Sequence, residues 1–343
     1  MIAIPPRLLN KARPQDSVLS SHVNCSDSEK KNSDMSEEGE QKSKRGRKPN
    51  LVPYVQTDMF QANMVEWPVK DDLASMEFPL FTLSTNPDTA IREYHQPGTN
   101  KHVRIIPPVI GAATVFDKDL LLFIGSQIIE GRKAGLPISN TVKFDSYDFL
   151  LGTDREPGGN AYANILDMLR RLKGTQIETN IVTGGEEQTK GFGWIHDYTI
   201  TKKTGNGKGV LECIVQISDW MYNALLHYEV LTIDRRYFAL RMPLERRLYE
   251  LARKHVGNKA IWKADIVLMQ QKCGSTQDLR HFRADVRKII KRDSLPDYRM
   301  ALDKSCKPHK IVYYTRNTKL LSDELVATGK GAWFESLERF VPD

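Results

Sequence analysis

Thr276-Gln-Asp-Leu-Arg-His-Phe-Arg-Ala-Asp-Val-Arg-Lys-Ile-Ile-Lys-Arg292 carries two stripes at helical spacing. Leu279, Phe282, Val286, Ile289 and Ile290 fall on one side of the predicted helix. Arg280, Arg283, Arg287 and Lys291 fall on the other, flanked by Lys288 and Arg292. Asp278 and Asp285 are the only acids in the segment, whereas an ordinary surface helix interleaves Glu with Lys. Ser275-Thr-Gln-Asp278 reads as a capping box that starts this helix. A clean apolar face opposite a basic one is the pattern of a DNA recognition helix. Arg can hold guanine O6 and N7 bidentately, each such pair giving ~1–3 kcal/mol of discrimination. The plain alternative is a solvated basic face.

The flanking sequence sets the fold around this helix. Upstream, Pro243–His255 reads as a helix with Leu244, Leu248 and Leu251 inward. Trp262–Cys273 reads as a second helix, closed by Gly274. Downstream, Arg299–Leu302 and Ile311–Thr315 read as strands around a turn that holds Lys304, Lys307 and Lys310. Three helices followed by a β-hairpin is the order of a winged helix. There the third helix enters the major groove and the hairpin tip touches phosphates.

The same order is expected earlier in the chain. Asp117 to about Gly135 is a predicted helix, and a short one follows Phe144-Asp-Ser146. The third, Asn160–Lys173, buries Ile165, Leu166, Leu169 and Leu172 and presents Asn160, Asn164, Asp167 and Arg171. Predicted strands are Phe81–Ser84, Val103–Ile106, Gln176–Val182, Gly193–Thr201 and Val210–Ile217. The last two are joined by Lys202-Lys-Thr-Gly-Asn-Gly-Lys208, which sets Lys202, Lys203 and Lys208 on a wing. A helix from Ser218 to about Tyr228 follows. The expected fold class is α+β: two tandem winged-helix domains, at 78–235 and 236–320, preceded by a disordered N-terminal tail.

Charge supports the division. Residues 236–320 hold 21 Lys and Arg against 8 Asp and Glu, while 51–235 hold 17 against 23. A local excess of this size points to a polyanion partner, a solvated basic surface being the alternative. Residues 1–50 are Ser-, Asn-, Glu- and Lys-rich and are expected to be disordered. They end in Lys44-Arg-Gly-Arg-Lys-Pro49, similar to an AT-hook whose Arg45 and Arg47 would lie in a minor groove, although Lys48 displaces the usual proline. A connector at 51–77 contains Gln56-Thr-Asp-Met-Phe60. This resembles a peptide that binds the bacterial β sliding clamp. Met59 and Phe60 would fill a pocket, with Gln56 and Asp58 at its rim. The competing expectation is that Met59 and Phe60 pack on their own domain. Residues 321–343 are left as a C-terminal tail, with its fold open.

Several classes are disfavoured. No apolar run reaches membrane-spanning length, and no signal-peptide core is present. Cys25, Cys213, Cys273 and Cys306 are too scattered for a zinc site or a disulfide framework, so a cytoplasmic setting is expected. Gly205-Asn-Gly-Lys-Gly209 lacks the Ser or Thr of a P-loop. Asp71-Asp72 and Asp117-Lys-Asp119 lack a convergent third ligand. No nucleophile stands beside a readable base. The expectation is a non-enzyme with no catalytic residue, metal or cofactor.

Three long segments carry a family resemblance: Arg104-Ile-Ile-Pro-Pro-Val-Ile-Gly-Ala-Ala-Thr-Val-Phe-Asp-Lys-Asp119, Gly159 through Asn180, and Arg241-Met-Pro-Leu-Glu-Arg-Arg-Leu-Tyr-Glu-Leu-Ala-Arg253. Over about Phe78 to Thr315 the chain resembles the bacterial plasmid replication initiators of the replication initiator protein A family. That resemblance implies tandem winged helices on repeated double-stranded origin sequences. It also implies recruitment of the host initiator ATPase and replicative helicase, and it adds weight to the clamp-like peptide. Homodimer formation is left open. A transcriptional repressor on the same fold, or a DNA enzyme such as a primase or nuclease, remains as an alternative.

Overall fold

The structure is a computed structural model that describes residues 59–63, 67–96, 98–181, 190–203 and 210–340. All of them lie in one compact unit, Val55–Asp343. The AT-hook-like Arg45 and Arg47, the rim residues Gln56 and Asp58, and the wing residue Lys208 fall outside the described residues, as does the side chain of Lys203.

The first half runs β1 (Met59–Gln61), β2 (Val69–Asp72), α1 (Leu73–Glu77), β3 (Arg92–His95), β4 (His102–Ile106), α2 (Lys118–Lys133), β5 (Thr141–Asp145), α3 (Ser146–Gly152), α4 (Gly159–Gly174), β6 (Gln176–Thr179), β7 (Lys190–Gly193), β8 (Ile195–Lys203), β9 (Val210–Ile217), α5 (Asp219–Leu226) and β10 (Val230–Ile233). One sheet has the order β1-β5-β9-β8, with β5 and β8 antiparallel to β9 and β1 parallel to β5. A second sheet, β3-β4-β6-β7, includes the hairpin inserted between α4 and β8. α2 is the central element, buried along nearly its whole length from Lys118 to Gly131.

After a 3₁₀ turn at Arg235–Ala239, the second half runs α6 (Pro243–His255), β11 (Ile261–Asp265), α7 (Ile266–Cys273), α8 (Leu279–Arg292), β12 (Tyr298–Asp303), β13 (Lys310–Thr315), α9 (Thr318–Thr328), α10 (Gly331–Glu335) and β14 (Glu338–Arg339). Its sheet is ordered β11-β13-β12-β14. Both halves therefore repeat one arrangement: helix, strand, helix, helix, hairpin, with the first strand beside the last. One hydrophobic core cluster runs through both halves, from Phe60 to Tyr313.

Several sequence expectations are corrected. The expected helix Trp262–Cys273 is a strand, Ile261–Asp265, followed by a shorter helix. Ile261 and Trp262 favour a strand because β13 offers partners, Tyr314 and Tyr313, that local periodicity cannot reveal. Phe81–Ser84 forms no strand; only Thr82 bridges, to Thr114. Gly193–Thr201 is divided at Trp194 between two sheets. α8 begins at Leu279, capped by Asp278, whose carboxylate accepts from the backbone N–H groups of Arg280 and His281 at 2.8 and 3.0 Å. Gly274 at φ 68° ends α7 in the left-handed region, and a Cβ there would lie 2.7 Å from Pro79. The tail from 321 is folded as far as residue 340, as the rest of α9, then α10 and β14. Among the described residues no helix is long and apolar enough to cross a membrane.

Candidate nucleic-acid interface

α8 buries Phe282, Val286, Ile289 and Ile290 against the core. Arg280, Lys288, Lys291 and Arg292 are exposed on its other side, and Arg283 and Arg287 are half-buried at its margins. The six expected cations are thus on one helix, in two electrostatic states. Lys288 pairs with Asp285 at 2.8 Å, and Arg292 lies 3.5 Å from Glu245. Arg287 lies 3.2 Å from Glu338. Among the described residues no carboxylate pairs with Arg280, Arg283 or Lys291, and Arg283 Nε is buried without a hydrogen-bond partner. Unpaired cations on a folded face are available to phosphate or base oxygens.

The turn between β12 and β13 stands next to α8. Lys304 Nζ reaches Glu338 at 2.7 Å, so one carboxylate touches both the helix and the turn. Lys307 is exposed and has no carboxylate partner among the described residues, and Lys310 sits 3.9 Å from Asp265. In the second half, Arg280, Arg283 and Lys291 of α8 and Lys307 of the turn thus have no carboxylate partner among the described residues.

The first half is different. Asn160 and Asn164 are exposed on α4, as expected. Arg171 is not available: its Nε and Nη2 grip the Asp117 carboxylate, both at 2.7 Å. That bidentate contact also holds the guanidinium above its ordinary pKa. The exposed arginine of α4 is Arg170, one position earlier, paired with Asp167 at 3.1 Å. Helical spacing puts the two arginines 100° apart but cannot say which finds an acid 54 residues away. Lys202 is exposed near the end of β8. Lys173, at the end of α4, pairs with Asp197 at 2.7 Å.

The acidic pairs have other partners. Asp72 caps α1, accepting from the Ser75 N–H at 2.7 Å. Asp71 and Glu250 both hold Lys118, at 2.8 and 2.9 Å, with all three side chains buried. Burial pushes the Asp71 carboxyl up to about 7, against the pull of Lys118. Burial alone would lower the Lys118 ammonium and raise Glu250. The carboxylates around Lys118 outweigh it on the lysine, and Lys118 and Arg247 outweigh it on Glu250. Asp119 receives Arg246 at 2.5 Å and Arg155 at 2.7 Å. Arg247 donates to Glu250, to Lys272 O and to Ser75 O. α2 and β2 are thereby bolted to α6 across the two halves, with Asp71 and Asp119 engaged by cations.

The clamp-peptide expectation fails on burial. Phe60 is 3% exposed in β1, which pairs with β5, and its ring lies against Gly131, where a Cβ would stand 2.6 Å away. It packs in its own core and is not displayed. Gly131→Ala is accordingly expected to overpack this contact and cost about 1–3 kcal/mol, read as a lowered urea midpoint. An unchanged midpoint would place Phe60 elsewhere.

Comparison with known proteins agrees with this architecture. The family profile described as replication initiator protein A matches residues 70–300. A protein of Wigglesworthia glossinidia brevipalpis, described as "Putative replication protein", is 36% identical over 233 residues, which are 67% of this chain and 83% of that protein. Domains 2 and 3 of RctB superpose with a TM-score of 0.52 at 13% identity, over 71% of this chain and 96% of that one. At that identity the likeness is one of fold. The family expected from Arg104–Asp119, Gly159–Asn180 and Arg241–Arg253 is the one found, and the chain belongs to the replication initiator protein A family.

Proposed function

We propose that this replication initiator acts by sequence-specific binding of double-stranded DNA at origin repeats, through two tandem winged helices and without catalysis of its own. α8 would lie in a major groove, with Arg283 and Arg287 at base edges. Arg280, Lys291 and Lys307 would seat it on phosphates. α4, with Asn160, Asn164 and Arg170, would read a neighbouring stretch with less electrostatic help. Binding at several repeats would bend the origin, at ~1–6 kcal/mol per site, and favour opening of an adjacent A·T-rich segment. The same proposal includes recruitment of the host initiator ATPase and replicative helicase, which family membership supports.

The observation that carries this reading is the set of α8 cations without a carboxylate partner among the described residues, opposite the buried Phe282, Val286, Ile289 and Ile290. Selection of bound duplexes from a random pool tests it. A single site of one to two helical turns should emerge. Arg283→Ala should then tolerate any base at one position, losing ~1–3 kcal/mol of discrimination there. A pool that enriches nothing, or an Arg283→Ala variant that weakens all sequences alike, would contradict base reading.

A further inference from the structure

Glu338 belongs to the last strand of the chain, beyond the family match, yet it sits on the DNA-facing side of the second half. β14 pairs with β12 through two residues, Ala301↔Arg339 and Leu302↔Glu338. This register sends the Glu338 carboxylate between Arg287 of α8 and Lys304 of the turn, 3.2 and 2.7 Å away. The two cations come from the two elements that would meet DNA, and a carboxylate between them offers the oxygens a backbone phosphate would offer. Glu338 is held below the ordinary carboxylate range: burial opposes this, and Lys304 and Arg287 outweigh it. It is therefore charged at neutral pH.

The anchoring is slight. The satellite core beneath it consists of Ala301, Val312, Tyr314, Phe334 and Leu337, separate from the main core. α9 buries no residue at all. Trp333 adds one hydrogen bond, from Nε1 to Asp303 at 2.9 Å. Leu321, Leu325 and Trp333 are only partly buried on this satellite core, and Phe334 meets Tyr314 edge to face at 5.0 Å, so the segment rests on a small core of its own and can open without unfolding the main one.

We propose that the C-terminal segment 318–340 is an intramolecular competitor for DNA. Glu338 lies between Arg287 and Lys304 where the duplex would lie, and must withdraw for Arg287 to reach a base edge and Lys304 a phosphate. The proposal rests on the DNA-binding reading above. At Glu338→Gln the backbone pairing with β12 is kept and only the charge is lost.

The test uses the full chain, the selected duplex and a random-sequence duplex, with binding followed by fluorescence anisotropy across a salt series. Glu338→Gln is expected to bind both duplexes about tenfold tighter near 0.15 M salt. Its dependence on log salt should be steeper by about one unit, as the Lys304 phosphate contact is gained. Asp323→Asn, which removes an exposed acid from the same segment, is expected to leave both quantities unchanged. In the Glu338→Gln background, Arg287→Ala should cost more than it does in the natural chain. Equal or weaker binding by Glu338→Gln would overturn the proposal and make Glu338 a support for Arg287. Equal tightening by Asp323→Asn would overturn it in favour of net charge alone. If the natural chain itself binds no duplex in a salt-dependent way, the DNA-binding reading falls, and the competitor falls with it.

Discussion

Lys118→Ala is expected to lower the stability of the chain by about 3–5 kcal/mol, the cost of stranding buried charges by removing their partner. Lys118 is 1% exposed, and its ammonium is the shared counter-ion of Asp71 and Glu250. Without it, Glu250 keeps Arg247 at 2.9 Å and the Tyr237 hydroxyl at 2.8 Å, whereas among the described residues Asp71 keeps the distant Ser75 hydroxyl at 3.4 Å. Asp71, already pushed up to about 7 by burial, would then favour protonation still more, so in the variant the folded state holds more protons than the unfolded chain near neutrality. Its stability should therefore fall as pH rises from about 5 to about 8, and more steeply than that of the natural chain. Urea unfolding at the two pH values reads this directly. A loss below about 1 kcal/mol, with no added pH dependence, would mean that water reaches the site and the two halves are not bolted together by it.

The second large effect is on binding. Replacing Arg280, Lys291 and Lys307 together by Ala removes three cations that no carboxylate pairs among the described residues. Each phosphate contact contributes about 0.9 to the slope of log affinity against log salt, so the triple variant should flatten that slope by about 2.7. Near 0.1 M salt this corresponds to a loss on the order of several hundred-fold. The same substitutions at Lys288, Arg292 and Lys310 should cost less, because these already face Asp285, Glu245 and Asp265. Stability should change little, since none of the first three contributes to the core. An unchanged slope in the triple variant would remove α8 and its turn from the interface.

Local pattern made part of this legible. Pro243–His255 and Val210–Ile217 are read from the sequence to the residue, because a proline start and an alternating run leave little choice. The stripe from Leu279 to Arg292 shows which face is core. Two of the strands that the sequence does not announce share one reason. Thr141–Asp145 and Ile261–Asp265 each run straight into a helix, with the final Asp serving as strand end and helix cap position, so no turn residue marks the change. What periodicity cannot supply is partnership across the chain. Arg171 is lost to Asp117 across 54 residues, Arg246 to Asp119 across 127, and Arg287 to Glu338 across 51. Cations that look alike in the sequence are separated into free and occupied ones only by folding. Phe60 shows the converse, a residue suited to a partner's pocket that its own core takes first.

The most direct measurement is the affinity of the full chain for its selected duplex and for a scrambled duplex of equal length, across one salt series. Specific initiator binding predicts at least a thousandfold preference for the selected site near physiological salt, on the order of 4 kcal/mol or more, with a steep salt slope on both duplexes. Equal affinity for the two duplexes at every salt concentration would contradict sequence-specific reading by α8 and leave only a basic surface.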